Sequence, residues 1–182
     1  MANDLWRTPP EVFHNLNTEF NFIADMAASH ENALHNQYFT ENDDSLSFNW
    51  ADKLQNLIAP NGVTYAWCNP PYSNPKPWIV AAAQAQDSGL GVVMLLNADT
   101  STEWFLNALP WVSEVRNITG YRLDGKWKTG RLAFLDETGK PVSGNNKAQF
   151  VLIFNPFKKG LAINTYVTKL EIMKPVELPK VA

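Results

Sequence analysis

Residues 91–96 read Gly-Val-Val-Met-Leu-Leu, an apolar run far shorter than a membrane span and without the polar alternation of a half-exposed strand. Such a run suits a strand buried on both faces, the situation in a mostly parallel sheet covered by helices. Its neighbours meet that requirement. Residues 63–68 form a second apolar stretch, introduced by the turn Pro60-Asn61-Gly62 and stopped by Pro70 and Pro71. Between the two, residues 78–86 are alanine-rich and helical in character with Ser88-Gly89 as a stop signal, and residues 101–109 supply the next helix. Strand, helix, strand, helix predicts an α/β domain built on a largely parallel sheet.

The flanking regions extend this pattern. Residues 20–25 predict an earlier buried strand that ends at Asp25 and the small residues Ala27 and Ala28, and Ser29 predicts the cap of a short helix running towards Asn36. Thr8-Pro9-Pro10 has the form of a helix start. Beyond Pro110, residues 112–118, 131–135 and 148–154 read as strands with polar, glycine-containing loops and no intervening helices, which predicts an antiparallel C-terminal part. Residues 174–182 read as an extended or frayed tail. At 182 residues the chain predicts one catalytic domain over residues 1–160 and an extension over 161–182.

Composition restricts the chemistry. A lone cysteine, Cys68, forms no disulfide and no cysteine cluster for a metal, and His14, His30 and His35 lack metal-ligand spacing, so no metal is expected. The start of the sequence lacks a basic segment followed by an apolar run, and no stretch approaches the length of a membrane span, so a cytoplasmic protein without a membrane partner is expected. The net charge is -3, so binding to nucleic acid requires a local concentration of positive charge. Arg116, Arg122, Lys126, Lys128 and Arg131 provide one, with Asp124 as the only acid in that stretch. Tyr121 to Lys128 combines these cations with aromatic groups on an expected hairpin or loop, and Lys76 is a further phosphate candidate.

Chemistry concentrates at Asn69-Pro70-Pro71-Tyr72, which directly follows the strand at 63–68 and therefore sits at its carboxyl end, where open α/β sheets bind ligands. The Asn69 side-chain oxygen and the Pro70 carbonyl can accept hydrogen bonds from both N–H groups of an amine whose lone pair is delocalised into a ring. The two prolines remove backbone donors and stiffen the turn, so these acceptors are aimed in advance. Tyr72 can lie over a base withdrawn from a duplex. Taken alone, the tetrapeptide is also compatible with a strand-terminating turn.

The stretch Ala66-Trp67-Cys68-Asn69-Pro70-Pro71-Tyr72-Ser73, followed by Trp78, resembles the phage DNA N6-adenine methyltransferase (Dam-like) family, in which Asn-Pro-Pro-Tyr is the catalytic signature. Trp6-Arg7-Thr8-Pro9-Pro10, Asp25-Met26-Ala27-Ala28-Ser29 and Gly130-Arg131-Leu132-Ala133-Phe134 resemble further family segments in the same order, so that the resemblance spans residues 5–156. It implies a class I methyltransferase-like, Rossmann-like sheet, S-adenosylmethionine as methyl donor and DNA as partner. Asn69, Pro70, Pro71 and Tyr72 become the catalytic candidates. Trp6, Thr8, Pro9, Asp25 and Ala27 become cofactor candidates around the methionine part, and Asp44, preferred to Asp43, around the adenosine. DNA candidates are Lys76, Arg122, Lys126, Lys128 and Arg131. Two features depart from the pattern: the first cofactor loop has no glycine, and no insertion is large enough for a separate recognition domain. The alternatives are the same fold acting on RNA or a protein amide, and a catalytically silent nucleic-acid-binding module.

Overall fold

A computed structural model describes residues 4–176. Of the expected tail, residues 177–182 lie outside the described residues. The elements are α1 (Pro10–Phe20), α2 (Trp50–Lys53), β1 (Tyr65–Cys68), α3 (Lys76–Asp87), β2 (Gly91–Asn97), α4 (Glu103–Ala108), β3 (Glu114–Thr119), β4 (Tyr121–Leu123), β5 (Lys126–Lys128), β6 (Gln149–Phe154), β7 (Ile163–Thr168) and α5 (Lys169–Ile172). One sheet has the order β1-β2-β6-β3-β7, and β4 and β5 form a separate two-stranded sheet. β1 pairs parallel to β2 and β3 parallel to β7, while β6 runs antiparallel to both β2 and β3. Four strands therefore share one direction, and the expected antiparallel character comes from the single reversed strand β6 together with the β4–β5 hairpin. This is a methyltransferase-like α/β fold. Among the described residues no helix is long and apolar enough to cross a membrane.

The run that opened the reading of the sequence is buried as expected. Val92, Met94 and Leu96 of β2 face a core shared with Trp50, Ala82, Ala85, Phe105 and Phe150, while Val93 and Leu95 face a second core with Phe13, Leu16, Trp67, Phe134 and Val151. All five β2 side chains are fully buried. Leu95→Ala opens a cavity that the surrounding ring systems cannot close, and it is expected to lower the unfolding free energy by about 3 kcal/mol, read from the midpoint of denaturant unfolding. A shift corresponding to less than about 1 kcal/mol would mean that the second core is loosely packed.

Three expected elements differ. Phe20 ends α1, and Asn21 closes that helix in the left-handed region, so the extended segment starts late. Residues 22–26 still flank β1, with the Ile23 amide donating to the Tyr65 carbonyl (3.0 Å) and the Met26 amide to the Trp67 carbonyl (2.9 Å), but they form only isolated bridges. No helix follows Ser29. The amides of Ser29 and Leu34 donate to the side chains of Asn32 and Asp25, and such local bonds compete with helical ones. Residues 131–135 form no strand: the Leu132 amide donates to the Gln149 side chain, and Leu135 makes bridges only to Arg7 and Pro141. β7 and α5 carry no sequence signal that pointed to them; β7 is an exposed edge strand whose ladder to β3 supplies its order.

Candidate active site

β1 is buried along its whole length and delivers the chain directly into Asn69-Pro70-Pro71-Tyr72 at its carboxyl end. The Asn69 Oδ1 atom is buried and has no hydrogen-bond partner among the described residues, and the same holds for the Tyr72 hydroxyl. A lone buried polar atom costs about 1–3 kcal/mol unless a ligand or water satisfies it, and two such atoms lie within this one turn. Burial pushes the Tyr72 hydroxyl and the Cys68 thiol well above their ordinary ranges, and both stay neutral. The turn is held from outside as well. Asp4 accepts from the Ser73 amide (3.1 Å) and hydroxyl (2.5 Å), fastening the N-terminal segment to the residue after Tyr72.

A cleft of about 870 Å³ opens over this turn. It brings together Asn69, Pro70, Pro71 and Tyr72 with Trp6, Thr8, Asp25, Ala27 and Asp44, whereas Pro9 does not line it and instead precedes α1 at its first turn. Asp25 sits beside β1 on the chain's sharp exit from residues 22–26 and is only 3% exposed. Its carboxylate accepts from the Ala27 and Leu34 amides at 3.2 and 3.3 Å. Desolvation outweighs these bonds and raises its pKa to about 6. Within the acidic loop the two aspartates differ. Asp43 is bound by the Thr40 amide and hydroxyl, both at 2.7 Å, while Asp44 has its backbone in the left-handed region and lines the cleft. The lining acids Asp4, Asp25, Glu31, Glu41, Asp44 and Glu137 face Arg7 as the only lysine or arginine, a field suited to a cationic ligand.

A second cavity of about 620 Å³ shares Trp6 and Tyr72 with the first. Phe134 stands behind both residues, stacked on Trp6 (6.0 Å between ring centroids) and edge-on to Tyr72 (5.8 Å). Trp104, Asn97, Asp99, Asn145 and Lys147 complete the walls together with small loop residues. The two cavities therefore meet at Tyr72, with one net-acidic side and one aromatic side. That arrangement can present two flat or charged partners to each other across a single stiff turn.

None of the expected DNA residues lines either cavity. Arg122, Lys126 and Lys128 lie on the β4–β5 hairpin, whose Asp124-Gly125 turn has positive φ at both positions (49° and 74°), the geometry of a tight two-residue hairpin. All three are exposed and, among the described residues, none has an acidic partner. Trp127 between the lysines is 65% exposed and rests on Gly120, where a Cβ atom would collide with the indole ring. Arg131 is exposed beyond the hairpin, and its carbonyl accepts from Lys169. Lys76 is paired with Glu103 at 3.0 Å. Arg116 leaves the basic group altogether, because Glu19 and Glu114 engage its guanidinium at 2.6–2.9 Å.

Sequence reasoning missed Asp4, Asn97, Trp104, Asn145 and Lys147 as lining residues, and it placed Phe134 in a family segment without a role at the site. Each comes from a loop, a strand end or, for Trp104, the first turn of α4, whose position only the fold determines. Asp99 closes the turn that precedes α4, its Oδ1 accepting from the Ser101 amide and hydroxyl, and it lines the second cavity; the N-cap of α4 is Thr102. Among the described residues no group of three or more His, Cys, Asp or Glu is arranged to hold a metal.

Comparison with known proteins adds an independent line. Residues 1–177 match a family described as DNA N-6-adenine-methyltransferase (Dam). The chain is 32% identical to the DNA N-6-adenine-methyltransferase of Escherichia phage T1, over 96% of this chain and 72% of that protein. It is 34% identical to the protein of the same description from Haemophilus phage HP1 (strain HP1c1), over 84% of this chain and 79% of the relative.

Proposed function

Because the chain belongs to the DNA N-6-adenine-methyltransferase (Dam) family, we propose that it transfers a methyl group from S-adenosylmethionine to the N6 of an adenine swung out of DNA, with the reaction at the junction of the two cavities. The activity class, adenine-N6 methylation of DNA, follows from the family. The observation that carries the rest is the buried, unpartnered Asn69 Oδ1 in the wall of the net-acidic cleft, three residues before Tyr72, where that cleft meets the aromatic cavity.

The residues present fit the donor. It is a cation with an ammonium group, and when bound it supplies an electrophilic methyl on sulfur. Asp25 would hold the ammonium, and Thr8, Ala27 and Trp6 would line the methionine part. Asp44 would accept from the adenosine end, while Pro9 would act only through the start of α1. The absence of glycine after Asp25 is met by Ala27 and Ala28, whose small side chains leave the backbone accessible.

This chain's own residues then position the base. Asn69 Oδ1 and the Pro70 carbonyl would accept from the two N6–H bonds. Accepting hydrogen bonds from both N–H groups would direct the amine's lone pair away from the ring and towards the methyl, with no rearrangement of the stiff turn; as the N–C bond forms the C–S bond would break, and one N6 proton would then pass to solvent. Tyr72, kept neutral and edge-on to Phe134, would stack on the adenine ring. Residues 1–160 would form the catalytic unit, and the extension over 161–182 would contribute the edge strand through β7. Replacing the target adenine with 2-aminopurine tests extrusion: binding should raise its fluorescence severalfold, and an unchanged signal in a saturated complex would remove base flipping from the mechanism.

Phosphate contacts are assigned to Arg122, Lys126, Lys128 and Arg131, with Lys76 held in its ion pair with Glu103 unless DNA displaces that partner. Neutralising Arg122, Lys126 and Lys128 together should reduce the slope of log affinity against log salt by about 3 and weaken all sequences alike. An unchanged salt slope would make the hairpin a solvated face and move the DNA surface to the mouth of the second cavity, beginning with Lys147.

A further inference from the structure

Gln149 is the first residue of β6 and is 1% exposed. The direction of its amide is fixed by backbone groups that have only one role each. Its Oε1 accepts from the Leu132 N–H at 3.1 Å, and its Nε2 donates to the Lys147 carbonyl at 3.0 Å. The nitrogen therefore also faces Asn97, which must answer with its oxygen, at 3.1 Å. This leaves Asn97 Nδ2 as a donor with no protein acceptor among the described residues. Asn97 is the last residue of β2 and lines the second cavity. The same Gln149 oxygen also takes Asn145 Nδ2 at 3.2 Å, and that nitrogen donates to the Leu132 carbonyl at 2.8 Å. One buried amide thus ties Leu132, the 145–147 loop and the end of β2 together and sets the polarity of Asn97.

We propose that Asn97 Nδ2 is the donor that reads a ring nitrogen of the target adenine, and that Gln149 is the positioning residue that holds Asn97 in this polarity. The inference rests on the second cavity receiving the adenine. Cys68 pairs with Met94 in parallel register, so Asn69, in the wall of the first cavity, and Asn97, in the wall of the second, emerge at the same end of neighbouring strands, and Tyr72 lines both cavities. Adenine carries an amino group flanked by two acceptor nitrogens, N1 and N7. A site with an acceptor at Asn69 and a donor at Asn97 matches that pair. Guanine and thymine place a carbonyl oxygen where adenine has its amine, which would set acceptor against acceptor at Asn69.

Duplexes carrying 7-deazaadenine or 1-deazaadenine at the target position test this, because each removes one ring acceptor and keeps the amine. For the unaltered protein, one of the two should lower kcat/KM roughly tenfold relative to adenine. Asn97→Ala should lose a similar factor on adenine and lose nothing further on that analogue. Gln149→Glu keeps acceptors for Leu132 and Asn145 but removes the donor to Asn97, so the Asn97 amide should turn its oxygen to the cavity. This variant should match Asn97→Ala in its discrimination between the duplexes, with a lowered melting temperature because the buried carboxylate also loses the donor to the Lys147 carbonyl. A merely structural Gln149 would lower turnover on all three duplexes and preserve the discrimination between them, which would overturn its positioning role; if the variant fails to fold, Asn97→Ala decides alone. Equal rates on all three duplexes for the unaltered protein, or discrimination retained in Asn97→Ala, would overturn the proposal. Absence of methyl transfer to the adenine duplex itself would instead overturn the reading on which it rests.

Discussion

Asn69→Ala is expected to reduce kcat by about 10²–10³ while leaving the dissociation constant for S-adenosylmethionine within about twofold, the size of effect seen when one preorganised polar group at a reacting atom is removed. A buried acceptor that satisfies no protein donor does not stabilise the fold, so its deletion should leave the unfolding free energy within about 1 kcal/mol of the parent. Loss of turnover without loss of stability is the signature of a group held for substrate. Single-turnover kinetics and denaturant unfolding on the same variant read both quantities. If Asn69→Ala keeps near-parental turnover, the turn is a strand terminator and the reacting amine lies elsewhere.

The second large effect belongs to Asp25, and there the two readings of the residue predict opposite signs. Its folded pKa of about 6 lies above the ordinary aspartate value of 3.8. Ionisation therefore opposes folding: the penalty is absent below about pH 4, grows between 4 and 6 and is complete above 6. At pH 7.5 Asp25→Asn removes this penalty at the expense of one acceptor, and the ligand-free protein should gain about 1–2 kcal/mol. The same change leaves the cofactor's ammonium without a charged partner and should weaken its binding about 10–100-fold. In the parent, affinity for the cofactor should fall as pH drops through about 6, because the protonated carboxyl no longer offers a charge, and in Asp25→Asn this dependence should vanish. A residue that only caps the turn at Ala27 and Leu34 would instead destabilise the fold when changed and leave calorimetric affinity intact.

What the sequence made legible is what short-range pattern controls. The doubly buried β2, the alanine-rich α3 and the turn after β1 follow from apolar runs and prolines whose influence is local, and the motif's place at a strand end follows from them. Residues 131–135 show the limit. Their apolar alternation matches a strand, yet Gln149 captures the Leu132 amide, a competition between residues 17 positions apart. The same distance effect hid the second cavity. Asn97 reads as the polar end of a strand, and only the approach of β6 turns it into an oriented donor. Arg116 reads as part of a basic group until α1 brings Glu19 against it across 97 positions. Charge sums along a chain assume neighbours in sequence, whereas ion pairs are made by neighbours in space.

The central claim is that the junction at Tyr72 methylates an adenine amine, and the base itself records it. The purified protein is incubated with S-adenosylmethionine carrying a labelled methyl group and with unmethylated DNA, and the DNA is then digested to nucleosides and separated. The account predicts label in N6-methyldeoxyadenosine, present with the parent protein and reduced about 10²–10³-fold in initial rate with Asn69→Ala. Label in a methylated cytosine, or only in RNA or protein when these compete with DNA, would contradict it.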